Sequence, residues 1–179
     1  FTSLDLPFDG PTTKHCGSCT ACIDICPTQA IVEPYMLDAR KCIAYLTIEY
    51  KGIIAEELRR GIGNRVFGCD DCQLICPWNS FAKKATIEDF NPRHGFDQIT
   101  LLDLWQWDEQ TFLSNTEGSP LRRTGYQSFM RNIAIGLGNA PFSHQIIEIL
   151  KQHYDLHDEI VQVHIDWAIQ EQMIKSGVV

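Results

Sequence analysis

The stretch over residues 16–27, CGSCTACIDICP, carries four cysteines within eleven residues and decides the fold of the first half of the chain. Its spacing is C-x₂-C-x₂-C-x₃-C, followed directly by proline. A second stretch over residues 69–77, CDDCQLICP, repeats the ending of this pattern with one cysteine fewer. Cys42 is the remaining thiol. All eight cysteines therefore lie between Cys16 and Cys76, and the rest of the chain has none.

This crowding favours metal ligation over disulfides, which serve small secreted chains whose thiols are spread between loops. Zinc is the main alternative, because C-x₂-C pairs bind tetrahedral zinc and eight thiolates suffice for two Cys₄ sites. Zinc sites usually join two separated C-x₂-C pairs. Three closely spaced cysteines followed by C-x₃-C-P are instead typical of ferredoxins. The spacing thus predicts two [4Fe–4S] clusters.

In two-cluster ferredoxins the last cysteine of each motif ligates the other cluster, so we expect reciprocal ligation here. The predicted ligands of the first cluster are Cys16, Cys19, Cys22 and Cys76. The predicted ligands of the second cluster are Cys26, Cys42, Cys69 and Cys72. Cys42 supplies the ligand that the second motif lacks.

Length, composition and charge limit the class of protein. The chain has 179 residues, 44% of them hydrophobic, which is enough for a substantial core, and its formal net charge is −8. It contains no apolar run of membrane-spanning length and no signal peptide, so we expect a cytoplasmic protein that does not contact membranes. The acidic total disfavours a general nucleic-acid binder but leaves room for a local basic face. The first residues, 1–11, have the composition of a loop.

Capping and periodicity predict short elements around the cysteines. Asp38 is expected to cap a helix over residues 39–50 that carries Cys42 in its first turn. A second helix is predicted over residues 53–60, and a short strand over residues 30–32. These elements predict an α-rich core of the ferredoxin type.

The cysteine-free half is helical in pattern. Helices are predicted after Thr100, Asp108, Ser143 and Asp158, and one after the Ser119-Pro120 cap that continues to Leu137. Antiparallel helices with short connections resemble α-solenoid units. The predicted fold is therefore α-rich α+β, with a two-cluster ferredoxin-like domain over residues 1–90 and a HEAT-like helical-repeat domain over residues 91–179.

Five stretches in this order resemble the epoxyqueuosine reductase family. They are CGSCTACIDICPTQAI from residue 16, DARKCIAYLTIEYKG from 38, GNRVFGCDDCQLICPWN from 63, LLDLWQWDEQTF from 101 and SPLRRTGYQSFMRNIAIGLGN from 119. Members of that family carry a cobalamin-binding domain ahead of a two-cluster domain and a helical-repeat domain, and they reduce epoxyqueuosine to queuosine in tRNA. The resemblance implies that this chain is the C-terminal part of such an enzyme, inactive alone because the cobalamin-binding domain is missing.

The resemblance also implies contacts for individual residues. In the family the second cluster lies against cobalamin, so cofactor contacts are expected at Ala44, Lys51, Cys69 and Asp70. Ala44 stands where the family commonly has serine. Contacts with tRNA are expected at Tyr50, Arg122, Arg123 and Arg131, although a single arginine on a helix is more often only a solvated side chain. The expected partners are tRNA and an external low-potential electron donor, and the expected state is a monomer.

Two other functions remain as alternatives. One is a stand-alone ferredoxin-type electron carrier whose helices bind a protein partner. The other is the cluster domain of a different corrinoid enzyme, such as a reductive dehalogenase. The carrier hypothesis does not account for the CIAYLTIEYKG stretch, and the dehalogenase hypothesis does not account for the helical second half.

Overall fold

The computed structural model describes residues 3–177; the first two residues of the predicted N-terminal loop and the last two residues of the chain lie outside this range. Helices dominate the described part, as the sequence predicted. They are α1 (Ala21–Ile25), α2 (Ile43–Ile48), α3 (Glu56–Ile62), α4 (Asp71–Leu74), α5 (Leu101–Trp105), α6 (Glu109–Asn115), α7 (Tyr126–Asn139), α8 (His144–Gln152) and α9 (Glu159–Ser176). No helix among these residues is long and apolar enough to cross a membrane.

The β structure of the described residues is one antiparallel hairpin. Strands β1 (Ile31–Glu33) and β2 (Met36–Leu37) pair Ile31 with Leu37 and Glu33 with Met36. Tyr35 occupies the turn with a φ of 67°, in the left-handed region that residues other than glycine rarely adopt. The predicted strand over residues 30–32 agrees with β1 to within one residue.

The predicted helix over residues 39–50 is wrong, because the chain breaks it at Cys42. Asp38 caps only a 3₁₀ turn, Ala39–Lys41, where its carboxylate accepts the Arg40 N–H at 3.1 Å. Cys42 then adopts an extended conformation with ψ 123°, and α2 begins at the next residue. The thiol of Cys42 therefore lies between two helical segments rather than on one of them.

The predicted helix after Ser119 is also two segments. Ser119 caps as expected, accepting the Leu121 N–H, but only for the 3₁₀ helix Pro120–Thr124. Gly125 then adopts φ 74° and ψ 152°, which interrupts the helical path before α7 begins. Glycine tolerates this conformation because it lacks a Cβ atom.

The core is organised around α7, which buries eleven of its fourteen residues. This helix packs against α5 and α9 of the helical half and against α2 and α3 of the cysteine-bearing half. A Cβ atom on Gly138 would lie 2.7 Å from the Trp167 ring, so the close approach of α7 to α9 depends on this glycine. Buried residues from both halves of the chain, such as Leu46 and Ile165, belong to one core. The division near residue 90 stays a prediction.

Candidate metal centre

The eight cysteines are all free thiols on short elements of the first half. Four of them, Cys16, Cys19, Cys22 and Cys76, line a cavity of about 220 Å³ together with His15 and Trp78. The two sequence motifs contribute to this cavity unequally, three thiols from the first and one from the second.

A second cavity, of about 310 Å³, is also lined by thiols. They belong to Cys22, Cys26, Cys42, Cys69 and Cys72. Apolar side chains complete its wall, including Ala30, Ile31 and Leu37. Cys22 borders both cavities, so the two sites are direct neighbours.

The packing of α1 against α4 brings the two motifs together. Cys22 lies on α1 and Cys72 lies on α4. Cys26 and Cys76 follow these two helices, each with an extended backbone (ψ 112° and 127°) and each followed by proline. A residue before proline is biased towards extended conformations. The Cys-Pro pairs therefore end both helices in the same way.

The thiols of the second cavity affect each other electrostatically. Burial raises the pKa of Cys72, and the nearby Cys69, Cys42 and Cys22 raise it further. Burial also raises the pKa of Cys26, but hydrogen bonds from residues 28–31, including the Ala30 N–H at 3.3 Å, outweigh burial and lower that pKa overall. A set of thiolates this close together requires a compensating positive charge.

The donors and the space fit polynuclear clusters. Thiolates are the soft ligands of iron–sulfur clusters and of zinc. Each cavity has the volume of several water molecules, at about 30 Å³ each, which is more than one zinc ion needs.

The predicted cofactor contact Lys51 makes hydrogen bonds within the chain. Its ammonium group donates to the carbonyl oxygens of Ile48, Arg123 and Thr124 at 3.0, 3.2 and 2.6 Å. Lys51 therefore ties the end of α2 to the 3₁₀ helix before α7. The residue is exposed, and its contact with a cofactor stays a prediction.

The other predicted cofactor contacts lie beside the second cavity. Cys69 and Cys72 line it, and Asp70 is exposed between them with its carboxylate accepting from the Gln73 amide at 2.9 Å. Ala44 is partly buried in the first turn of α2, next to Ile43. Contacts of Ala44 and Asp70 with a cofactor stay predictions.

Arg131 is not a surface residue, so its prediction as a tRNA contact is wrong. It is fully buried, and its guanidinium donates to the carbonyl oxygens of Leu46, Tyr50 and Gly52 at 2.7–2.9 Å. Burial lowers its pKa to about 10. The Arg131 side chain points into the protein because other elements cover this part of α7. The helical pattern of the sequence alone did not reveal that this face is covered.

The other predicted tRNA residues form part of one surface. Arg122 and Arg123 are exposed, and Arg123 pairs with Glu49 at 2.6 Å. Tyr50 is half-buried, and its hydroxyl donates to the Ile53 carbonyl at 3.2 Å. The bonds from Lys51 to the backbone of residues 123–124 keep this tyrosine near the two arginines.

Sequence reasoning missed several polar residues that hold the cysteine segments. Tyr35 accepts the N–H groups of His15 and Cys16 at 3.1 and 3.2 Å through its hydroxyl. Thr47 and Asn132 are fully buried and hydrogen-bonded to the segments around Cys42 and Cys69. An asparagine inside the apolar run of α7 was the available signal.

Residues 15–79 match the family model of the 4Fe-4S double cluster binding domain. This part of the chain is therefore a double-cluster iron–sulfur domain, as its cysteine spacing predicted.

Relatives extend the match to nearly the whole chain. An epoxyqueuosine reductase of Xanthomonas campestris is 54% identical over 171 residues, covering 96% of this chain and 48% of its own length. The predicted resemblance is confirmed: the chain is related throughout to the epoxyqueuosine reductases and spans about half the length of these relatives.

Solved structures of the same family share the fold. The epoxyqueuosine reductase of Streptococcus thermophilus superposes with a TM-score of 0.81 at 25% identity, over 96% of this chain and 45% of that one. A second structure is an epoxyqueuosine reductase with an epoxyqueuosine-modified tRNA stem loop, at a TM-score of 0.70 and 26% identity over 92% of this chain and 52% of that one.

Proposed function

We propose that this chain is the C-terminal electron-transfer and tRNA-docking part of an epoxyqueuosine reductase. The observation that carries the proposal is the pair of adjacent thiol-lined cavities, which share Cys22 as a common wall. Two clusters in such cavities lie close enough for electrons to pass between them. A domain of this kind supplies electrons one at a time from an external low-potential donor.

The ligand assignment is reciprocal. The first cluster is held by Cys16, Cys19, Cys22 and Cys76, which is the thiol set of the smaller cavity. The second is held by Cys26, Cys42, Cys69 and Cys72, all of which line the larger cavity. Because Cys22 borders both cavities, its assignment to the first cluster rests on the C-x₂-C-x₂-C spacing.

Cobalamin is the proposed second cofactor, and when bound it supplies the reductive chemistry that removes the epoxide oxygen. The residues of this chain nearest to it are Ala44, Cys69 and Asp70, beside the larger cavity. Their role is to place the second cluster against the cofactor and to exclude water between them. Lys51, exposed after the end of α2, is a further proposed contact.

The tRNA surface comprises Tyr50, Arg122 and Arg123. Both arginines are exposed, and a guanidinium group binds phosphate oxygens with two parallel hydrogen bonds. A structure of this fold contains an epoxyqueuosine-modified tRNA stem loop, which supports tRNA as the partner. Arg123 also pairs with Glu49 through Nη2, and a phosphate would bind its other N–H groups or compete with that carboxylate. The helices beyond residue 90 form the proposed HEAT-like repeat domain, and the protein acts in the cytoplasm as a monomer.

The test uses the complete product of the gene and the variant Cys42→Ser. The wild type is expected to bind about eight iron atoms and cobalamin and to convert epoxyqueuosine to queuosine in tRNA. Cys42→Ser should lose one cluster and all turnover while its tRNA affinity stays within about twofold. Turnover by the variant would contradict the electron relay. Electron transfer to a protein partner without any action on tRNA would instead support the stand-alone carrier.

A further inference from the structure

The segments that carry Cys42 and Cys69 come from different parts of the chain and need to be held at a fixed separation. Both cysteines line the larger cavity. Neither sits inside a long helix: Cys42 precedes the six-residue α2, and Cys69 follows a loop that ends at Gly68. Backbone stiffness alone therefore does not fix their separation.

One side chain joins the two residues next to these cysteines. The Thr47 hydroxyl donates to the Ile43 carbonyl at 2.7 Å and accepts the Gly68 N–H at 2.9 Å. Ile43 follows Cys42 directly, and Gly68 precedes Cys69. A hydroxyl has one donor and two acceptor positions, so it makes both bonds at once.

The surroundings make this link rigid. Thr47 is completely buried, so water does not replace either bond. Gly68 has a φ of 74°, a conformation that glycine adopts without strain. From the other side, the Asn132 amide donates to the Thr47 carbonyl and to the Val66 carbonyl, both at 2.8 Å. The same two segments are thus joined twice, once through Thr47 and once through α7.

We infer that Thr47, supported by Asn132, is a positioning residue for the second cluster, which sets the distance between Cys42 and Cys69. This inference rests on the proposed assignment of both cysteines to one cluster. A bond from a threonine hydroxyl to the carbonyl four residues earlier is common inside helices and by itself carries no such meaning. The second bond, to Gly68, distinguishes Thr47.

The chain offers a matched control in Thr116. This residue is also completely buried, and its hydroxyl donates to the Phe112 carbonyl at 2.7 Å. It lies at the end of α6, which carries no cysteine. Thr116→Val therefore reproduces the loss of a buried hydroxyl without touching the cysteine segments.

The experiment compares Thr47→Val, Thr47→Ser and Thr116→Val in the reconstituted chain. Iron loss to a chelator and the midpoint potential of each cluster are measured, with Cys16→Ser and Cys42→Ser used to assign the two spectroscopic signals. Thr47→Val should release iron from the second cluster roughly tenfold faster, the factor expected from about 1.4 kcal/mol of lost hydrogen bonding, and should shift that cluster's potential alone. Thr47→Ser and Thr116→Val should match the wild type at both clusters.

Three results would overturn the inference. In the first, Thr47→Val has the same iron loss and cluster potentials as Thr116→Val. In the second, Thr47→Val changes both clusters equally, which would indicate a general loss of stability. If Cys16→Ser and Cys42→Ser abolish the same signal, the ligand assignment itself is wrong and the inference fails with it. If Thr47→Val does not fold, Thr47→Ala is compared with Thr47→Ser instead. Faster iron loss from the second cluster is then expected only in the alanine variant.

Discussion

The two halves of the molecule are held together by different forces. Helices α1 and α4, which carry Cys22 and Cys72, have no fully buried residue, whereas α7 buries eleven of its fourteen residues. Apolar burial is the dominant favourable term in folding, so α7 and its neighbours have their own source of stability. Helices α1 and α4 contribute no fully buried residue to this core, so they depend more on bonds from other elements and on the proposed clusters.

The stretch between Cys42 and Cys69 receives bonds from polar side chains of the helical half. Arg131 and Asn132 of α7 donate to backbone carbonyls between Leu46 and Val66. From α9, His164 accepts the Ile54 N–H at 3.1 Å through Nε2. The helical half thus serves as a frame on which the cysteine-bearing half is ordered. Substitutions in these contacts test that relationship.

The largest effect is expected from Arg131→Met. The variant removes the donors of the Leu46, Tyr50 and Gly52 carbonyls, and its cost in the free energy of unfolding should be about 4 kcal/mol. Denaturant unfolding measures this cost, and amide hydrogen exchange should rise over residues 43–53 while α9 stays protected. The exposed Arg122→Met serves as a control, with a change within about 0.5 kcal/mol. An equal rise in amide hydrogen exchange over residues 43–53 and over α9 would contradict the interpretation that the helical half orders the cysteine-bearing half.

A smaller effect is expected from pH at His164. This side chain is fully buried, and burial lowers its pKa to about 4, with its Nδ1–H bonded to the Ile160 carbonyl at 2.6 Å. Because the folded-state pKa lies below the ordinary value of 6.5, stability is intact above that pH and falls as the pH drops towards 4.

Between pH 7 and pH 5 the wild type should lose about 2 kcal/mol more than His164→Gln, as followed by denaturant unfolding. The exposed His144→Gln should retain the full dependence of the wild type. If all three proteins lose the same stability between pH 7 and pH 5, the pH dependence belongs to other groups. His164 would then not be a pH-sensitive contact between the two halves.

The smallest effect is expected inside the cysteine-bearing half, from Tyr35→Phe. The phenylalanine lacks the oxygen that accepts the His15 and Cys16 N–H groups, but the site is exposed and water replaces part of the interaction. Iron loss from the first cluster should become about two- to threefold faster. Tyr154→Phe, which loses a hydroxyl bond to Asp166, is the matched control. An unchanged rate of iron loss from the first cluster would contradict the role of the Tyr35 hydroxyl beside Cys16.

The sequence predicted the elements that local signals define. Asp108 and Asp158 cap α6 and α9 as expected, through bonds to the N–H groups of Thr111 and Val161. It failed where the chain changes direction within an apparently continuous helical pattern, at Cys42 and Gly125. Both residues were visible, but whether they interrupt a helix depends on what the neighbouring elements require.

In the candidate site, too, the sequence predicted what local signals define and failed where distant contacts decide. Seven of the eight thiols fall into two motifs whose spacing is a local signal, since C-x₂-C turns are local, and Cys42 is the eighth. The buried position of Arg131 and the backbone bonds of Lys51 were not predicted, because both are long cationic side chains whose direction is decided by distant carbonyls. Thr47 and Asn132 were overlooked for the same reason, because their partners lie up to 85 residues away along the chain.

The sequence by itself predicted a double-cluster iron–sulfur region over the cysteine motifs and a helical second half, because thiol spacing and helix caps act within a few residues. Only the tertiary structure decided how the thiols are arranged around two adjacent cavities and which charged residues face inward. Those outcomes depend on packing α1 against α4 and on enclosing α7 between the two halves. A buried guanidinium or hydroxyl has to find its partners in the folded chain, and no local pattern specifies where they are.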